Sequence, residues 1–357
     1  MSRVGVAPTQ FFGGKAMLAS RIATLLPPHR VYVEPYAGSA AVFFTKAPAP
    51  LEVISDADGL LVNFFRVLRD PVKGARLKEA LSMTLYAREE WADARLGVKA
   101  WARGWDTAAD DVELARRWFV LTQMSFAGRI ANAPAGEAPG WRYATKPSHN
   151  PAQSFRSAID RLPSFMARLA NAQIEHDDAL SIISRYDRPG VVQYLDPPYL
   201  PDTRRGGGYA HEMTVEDHLA LLDRITAPTF KSAIVLSGYD SHLYRERLEE
   251  WHGWQRIEIT VACRAAGRTR AGRLQGKGAV YAAAQTRTEI LWLNPAAQAG
   301  HGLWAGLEGE DATEMGTETG TRDAREEAAK PALKRTRTRQ TSGHQPTRGG
   351  NRRHARS

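Results

Sequence analysis

Short, mainly apolar runs recur along this chain at Val31–Val33, Leu51–Ile54, Val191–Leu195 and Ala233–Leu236. None alternates apolar with polar as a strand with one wet face would. Apolar runs of this length without strict alternation are the pattern of strands covered by helices on both faces. Helical periodicity fills the gaps, from Lys15 to Leu26, Gly59 to Leu68, Ser154 to Leu169 and Val215 to Ile225. Strand and helix in alternation predict a doubly wound α/β fold around a parallel sheet. Later runs at Arg256–Val261, Ala279–Ala284 and Glu289–Leu293 read as an antiparallel edge.

The alternation is interrupted once and then stops. Residues 71–150 are rich in Arg and Trp, helical in pattern, and end in a Gly/Pro loop (FAGRIANAPAGEAPGWRY), which predicts an inserted subdomain. Residues 1–70 and 151–294 then make up the main domain. Residues 295–357 have few aromatics and no apolar period, and run from acidic to basic, the composition of a disordered tail. The net charge of +9 suggests a nucleic-acid partner. Its distribution weakens that argument, because residues 328–357 carry nine basic side chains and no acid, which is the whole excess. Such an end can hold phosphates without sequence preference or simply keep the chain in solution.

Some classes are excluded or disfavoured. A single cysteine, Cys263, rules out an internal disulfide framework and a multi-cysteine metal site. The apolar runs fall short of the roughly 18 residues of a membrane span. The N-terminal MSRVGVAPTQFFGGK has no apolar signal core, so a cytoplasmic protein without metal or membrane contact is expected.

Two strand ends carry chemistry. In VYVEPYAGSAAVF a strand runs into a turn at Gly38 and then into a helix, which lets a nucleotide-like ligand approach the backbone. Asp56 follows Gly38 by eighteen residues, at the end of the next strand, where an acid can accept from both hydroxyls of a ribose. In VVQYLDPPYL the strand ends in Asp196-Pro197-Pro198-Tyr199. Consecutive prolines fix φ and remove backbone donors, making a rigid lip. That lip offers the Asp196 carboxylate and the Pro197 carbonyl as paired acceptors, with the Tyr199 ring beside them. Paired acceptors and a stacking face suit an exocyclic amine on a planar base. A third segment, Phe11-Phe12-Gly13-Gly14-Lys15, puts a cation behind glycines, and Lys15 could meet a carboxylate. His211, His242 and His252 lack metal-ligand spacing and read as structural or surface residues.

FFGGK, EPYAGSAAVFF, ISDADGLLVNFFRVLRD, DPPY and RTEILWLN follow one another in an order that resembles the Dam-like adenine-specific DNA methyltransferases, from about Gln10 to Asn294. The resemblance implies a Rossmann-like S-adenosylmethionine-dependent methyltransferase sheet with an inserted, mainly helical target-recognition subdomain. It implies methyl transfer to the N6 amine of an adenine flipped out of double-stranded DNA. It carries cofactor contacts over to Phe11, Lys15, Tyr36, Ala37, Gly38, Asp56 and Asp196. Asp178 in HDDAL resembles an aspartate near the cofactor adenine, with Asp177 beside it as the alternative. Asp196, Pro197 and Tyr199 become the catalytic set. Many relatives have a further glycine where this chain has Ser39-Ala40, which predicts a slightly tighter pocket.

The insert is expected to read DNA. Candidates are Arg88, Arg95, Arg103, Arg116, Arg117, Ser125 and Asn132, with Arg129 and Arg142 foremost because they lie within the Gly/Pro loop from Phe126 to Tyr143, a hairpin that can enter a groove. The family suggests a monomer and allows a cognate restriction endonuclease as partner. Methylation of RNA bases or of a protein glutamine is the alternative, since the same acceptor pair serves those amines and amides. A silent binding module would not need Lys15 and the Asp196–Tyr199 lip intact.

Overall fold

A computed structural model describes residues 7–8, 15–106, 110–126, 140–145, 150–203, 211–262 and 286–300. The apolar runs become strands β1 (Val31–Glu34), β2 (Leu51–Ser55), β4 (Val191–Leu195) and β5 (Ala233–Gly238). A short strand, β3 (Gln173–Glu175), joins them, and β6 (Gln255–Ala262) and β7 (Thr286–Leu293) complete a seven-stranded sheet. Its order is β3-β2-β1-β4-β5-β7-β6, with β7 antiparallel between β5 and β6 and β1 to β5 parallel. The chain builds outward from β1 to β2 and β3, then returns to place β4 on the other flank of β1. Strand order therefore reverses between β1 and β4, and the loops leaving their carboxyl ends diverge to open a crevice.

Alternate residues of each buried strand serve opposite layers. Tyr32, Ile54, Val192, Tyr194 and Val235 join one core. They meet α2 (Ala41–Thr45), α3 (Gly59–Arg69), α6 (Asp111–Met124) and α7 (Pro151–Leu169). Leu195, Ile234 and Leu236 face α9 (Val215–Ile225), and Val33, Val53 and Val191 surround Ile182 of α8 (Ala179–Arg185). Each large side chain removed from water contributes roughly 1.5–3 kcal/mol, so apolar layers on both faces hold the sheet between them.

The helices start where the sequence supplies caps. Asp58 accepts from the Leu60 and Leu61 amides to open α3, Asn150 caps α7, and Thr214 with Asp217 forms a reciprocal capping box on α9. The expected helix over 15–26 is instead a 3-10 turn, Lys15–Met17, followed by α1 (Ala19–Thr24). The inserted helices α4 (Pro71–Met83), α5 (Arg88–Ala102) and α6 are present. They share the core of the first layer rather than enclosing one of their own: Phe64 of α3 lies 4.7 Å from Trp118 and 5.9 Å from Phe119 of α6, ring to ring.

The folded chain also runs past the boundary expected at 295. Residues 295–300 are helical, and Ala297 is fully buried with its amide donating to Asn294 Oδ1 at 2.9 Å. Ala279–Ala284 and residues 301–357 lie outside the described residues.

Candidate active site

The β1 turn is built from backbone amides and carboxylates. Glu34, at the end of β1, is buried; its Oε2 accepts from the Tyr32 hydroxyl at 2.8 Å and from the Phe43 amide at 3.1 Å. Burial pushes its pKa up to about 8, so the site holds the neutral acid near neutrality. The turn continues through Gly38 at φ +47° and Ala40 at φ +52°. Left-handed backbone suits glycine at the first position and strains the alanine at the second. The glycine expected from relatives thus falls where the backbone demands it, and the departure at Ala40 costs strain as well as space.

Asp56 closes this turn from β2. Its Oδ2 accepts from the Gly38 amide at 2.8 Å and its Oδ1 from the Asp58 amide at 2.9 Å, while the Ala37 amide donates to the Ser55 carbonyl at 2.9 Å. Each carboxylate oxygen keeps a second acceptor direction, enough for the hydroxyls of a ribose. Burial raises the Asp56 pKa to about 6 against the pull of the two amides. Tyr36 packs beneath the turn on the second core, and burial raises its hydroxyl well above the usual phenol range.

Across the crevice, the β4 lip holds a charged cluster. The Lys15 ammonium, 5% exposed, lies 2.8 Å from Asp196 Oδ1 and 3.9 Å from Glu289 Oε2. The Tyr199 hydroxyl donates to Glu289 Oε2 at 2.8 Å and approaches Asp196 Oδ1 at 3.1 Å. Lys15 also sits over the Tyr199 ring, 4.8 Å from its centre, and Tyr239 meets that ring edge-on at 4.6 Å. Burial raises the Asp196 pKa, and the neighbouring ammonium draws it back. Pro197, next in the chain, is buried.

Residues 11–261, which contain both turns, match the family model of the D12 class N6 adenine-specific DNA methyltransferases. The chain belongs to that family. It is 25% identical over 230 residues, 63% of its length, to the DNA N-6-adenine-methyltransferase of Escherichia phage P1. It spans only 28% of that relative's length. Solved structures give looser likenesses. One is the C-terminal domain of precorrin-6Y C5,15-methyltransferase from Rhodobacter capsulatus, at 11% identity and TM-score 0.35, covering 82% of this chain and 99% of that one. Another is an rRNA methylase from Streptococcus thermophilus, at 9% identity and TM-score 0.27, covering 78% and 94%.

Within this member of the D12 family, the expected residues divide clearly. Lys15, Asp196 and Tyr199 come together in one cluster, and Tyr36, Ala37, Gly38 and Asp56 in one turn. Asp178 stands at the carboxyl end of β3 and caps α8, accepting from the Ser181 amide at 3.0 Å. Asp177 is instead ion-paired with Arg185 at 2.6 Å, which leaves Asp178 as the stronger of the two candidates. Phe11, Arg129 and Asn132 lie outside the described residues. Among the described residues, no group of three or more His, Cys, Asp or Glu side chains is placed to hold a metal, and no helix is long and apolar enough to cross a membrane.

Most of the insert's candidates have structural work. Arg116 pairs with Glu113 at 2.7 Å and Glu90 at 3.2 Å, and Arg117 with Asp106 and Glu113 at 2.8 Å each. Ser125 is buried and accepts from Trp91 Nε1 at 2.9 Å. Arg88, Arg95 and Arg103 lie over Trp141, Trp91 and Trp105. Arg142 is fixed through its main chain: its amide donates to Met124 O at 2.6 Å and its carbonyl accepts from the Tyr86 hydroxyl at 2.7 Å.

Two site residues escaped sequence reasoning, Glu34 and Glu289. Both stand within quoted motifs, and the available signal was an acid inside a run otherwise buried and apolar.

Proposed function

We propose that this chain moves a methyl group from S-adenosylmethionine to the exocyclic N6 amine of adenine in double-stranded DNA. The observation that carries the reading is the Asp196 carboxylate, held by a buried lysine and tyrosine at the strand end facing the Gly38–Asp56 turn. The donor set of that turn fits the cofactor. Asp56 would accept from the ribose hydroxyls, and the main chain at Tyr36, Ala37 and Gly38 would lie along the nucleoside. Asp178 would stand by the adenine end, and Phe11 and Lys15 would close the site. S-adenosylmethionine supplies an electrophilic methyl on its sulfonium.

The chain's own residues then prepare the amine. Lys15 and Tyr199 both contact Oδ1 of Asp196, so Oδ2 serves one amine hydrogen and the Pro197 carbonyl the other. Paired hydrogen bonds draw the nitrogen toward tetrahedral geometry and free its lone pair from the ring, and the lip holds it in position to attack. Burial raises the Asp196 pKa, making it a better acceptor for the proton that the methylated nitrogen sheds. Reaching the lip requires the adenine to leave its stack, which costs a few kcal/mol that DNA binding must offset. Arg129 and Arg142, within the Gly/Pro loop of the insert, are the proposed DNA contacts.

Transfer of label from S-adenosylmethionine tests this on duplex DNA, on the same DNA already methylated at adenine, on RNA and on a protein extract. Label is expected in adenine of the unmodified duplex alone. Label confined to RNA or protein would overturn the substrate assignment.

A further inference from the structure

RTEILWLN belongs to the family pattern, yet the methyl transfer described above uses none of its side chains. One of them is out of keeping with its surroundings. Glu289 has no exposed surface and is followed in β7 by the buried Ile290, Leu291, Trp292 and Leu293. A carboxylate so placed is costly unless its neighbours compensate it.

Topology decides which neighbours those are. Because β7 runs antiparallel to β5, with Ile290 opposite Gly238, its first half lies at the carboxyl ends of the parallel strands. There Glu289 meets the catalytic cluster from the far side. The contacts fall into two pairs. Lys15 is closer to Asp196, at 2.8 Å, than to Glu289, at 3.9 Å. The Tyr199 hydroxyl is closer to Glu289, at 2.8 Å, than to Asp196, at 3.1 Å. One ammonium and one hydroxyl are thus shared by two carboxylates, with the hydroxyl proton directed mainly at Glu289.

We propose that Glu289 is a positioning residue for methyl transfer, engaging the Tyr199 hydroxyl and flanking Lys15 so that Asp196 is held in orientation and keeps its acceptor capacity for the amine. Without Glu289, the tyrosine hydroxyl turns wholly to Asp196, and the ammonium closes on the same carboxylate. Both changes withdraw electron density from the group that must accept from the substrate. The effect is expected on turnover rather than binding, since Glu289 acts through Lys15 and Tyr199 on the lip. This inference rests on the reading of Asp196 as acceptor of the amine.

The test uses the full chain and compares Glu289→Gln, Glu289→Ala, Tyr199→Phe, the Glu289→Gln/Tyr199→Phe pair and Asp196→Asn. Turnover, KM for DNA, cofactor Kd and melting temperature are measured for each. Glu289→Gln, which keeps the shape and an acceptor but loses the charge, should lower kcat about tenfold and leave KM and Kd within about twofold. Glu289→Ala should lose more, with Gln restoring part of the loss. The double variant should be no slower than the slower of its two parents, because both changes cut the same link. Wild-type kcat in both Glu289 variants, losses that multiply in the double variant, or losses matched by a falling folded fraction would each overturn the proposal. Inactive Asp196→Asn beside fully active Glu289 variants overturns this role alone. Fully active Asp196→Asn overturns the acceptor assignment and this inference with it.

Discussion

The turns that leave β1 and β4 flank the same crevice but are held in opposite ways. The β1 turn is held by main-chain amides on two carboxylates: Gly38 and Asp58 donate to Asp56 at the end of β2, and Phe43 donates to Glu34. Its strain, at Ala40, is in the backbone. The β4 turn is held by side chains from distant segments, Lys15 before the first strand and Glu289 on the last. Main-chain amides make a fixed mould for a nucleoside, a ligand of constant shape. A side-chain cluster can tune the charge on one carboxylate, which is what activating an amine requires. In the proposed reaction the first turn would serve binding and the second turnover.

Separate losses of binding and of turnover would sharpen this contrast, and mixed losses would break it. The largest effect is expected for Asp196→Ala. Turnover should fall by about a thousandfold or more, while cofactor affinity changes by less than about tenfold, as read by single-turnover rates and calorimetric titration. Asp56→Asn should do the reverse. It weakens cofactor binding by about ten- to hundredfold with turnover at saturation nearly kept, because an NH₂ replaces an acceptor that an amide or a ribose hydroxyl needs.

The same residue predicts a pH dependence. Burial places the Asp56 pKa at about 6. Cofactor affinity should therefore fall below pH 6, by up to about tenfold per pH unit, as protonation removes an acceptor. Titrations across that range should give a flat profile for Asp56→Asn. A profile unchanged by the substitution would remove Asp56 from the cofactor site.

Smaller effects concern stability of the β1 turn. Glu34 has a folded pKa of about 8 against an ordinary value of 4.5, so the folded state binds the extra proton between those values. Its contribution to stability therefore declines as pH rises through that window, by a few kcal/mol in all. Glu34→Gln, which keeps an acceptor for Tyr32 and Phe43, should remove this decline and leave the protein more stable than wild type near pH 9. Guanidinium unfolding at the two ends of the window measures it. Ala40→Gly should stabilise by about 1 kcal/mol through relief of left-handed strain, seen as a higher unfolding midpoint.

Much of this organisation was legible along the chain. The four apolar runs emerged as β1, β2, β4 and β5, and the helix over Val215–Ile225 lies where its period placed it. The 3-residue β3 was not legible, because it is an edge strand with no fully buried residue and so has no apolar run. The arginines of the insert were legible as charges but not as partners. Whether Arg116 meets a phosphate or Glu113 depends on which carboxylates the fold brings within reach, and here it brings Glu113 and Glu90.

By itself the sequence determined the class of the sheet, the Gly38–Asp56 turn and the Asp196–Tyr199 lip. Each depends on residues adjacent in the chain or joined by one strand–helix unit, where period and spacing carry the geometry. Only the tertiary structure decided that Lys15, Tyr199 and Glu289 surround Asp196. Residues so far apart are related only through strand order, and the reversed direction of β7 brings a buried acid to the carboxyl ends of the parallel strands. Burial then sets the protonation of Glu34 and Asp56, because desolvation depends on what the folded chain places around a carboxyl group.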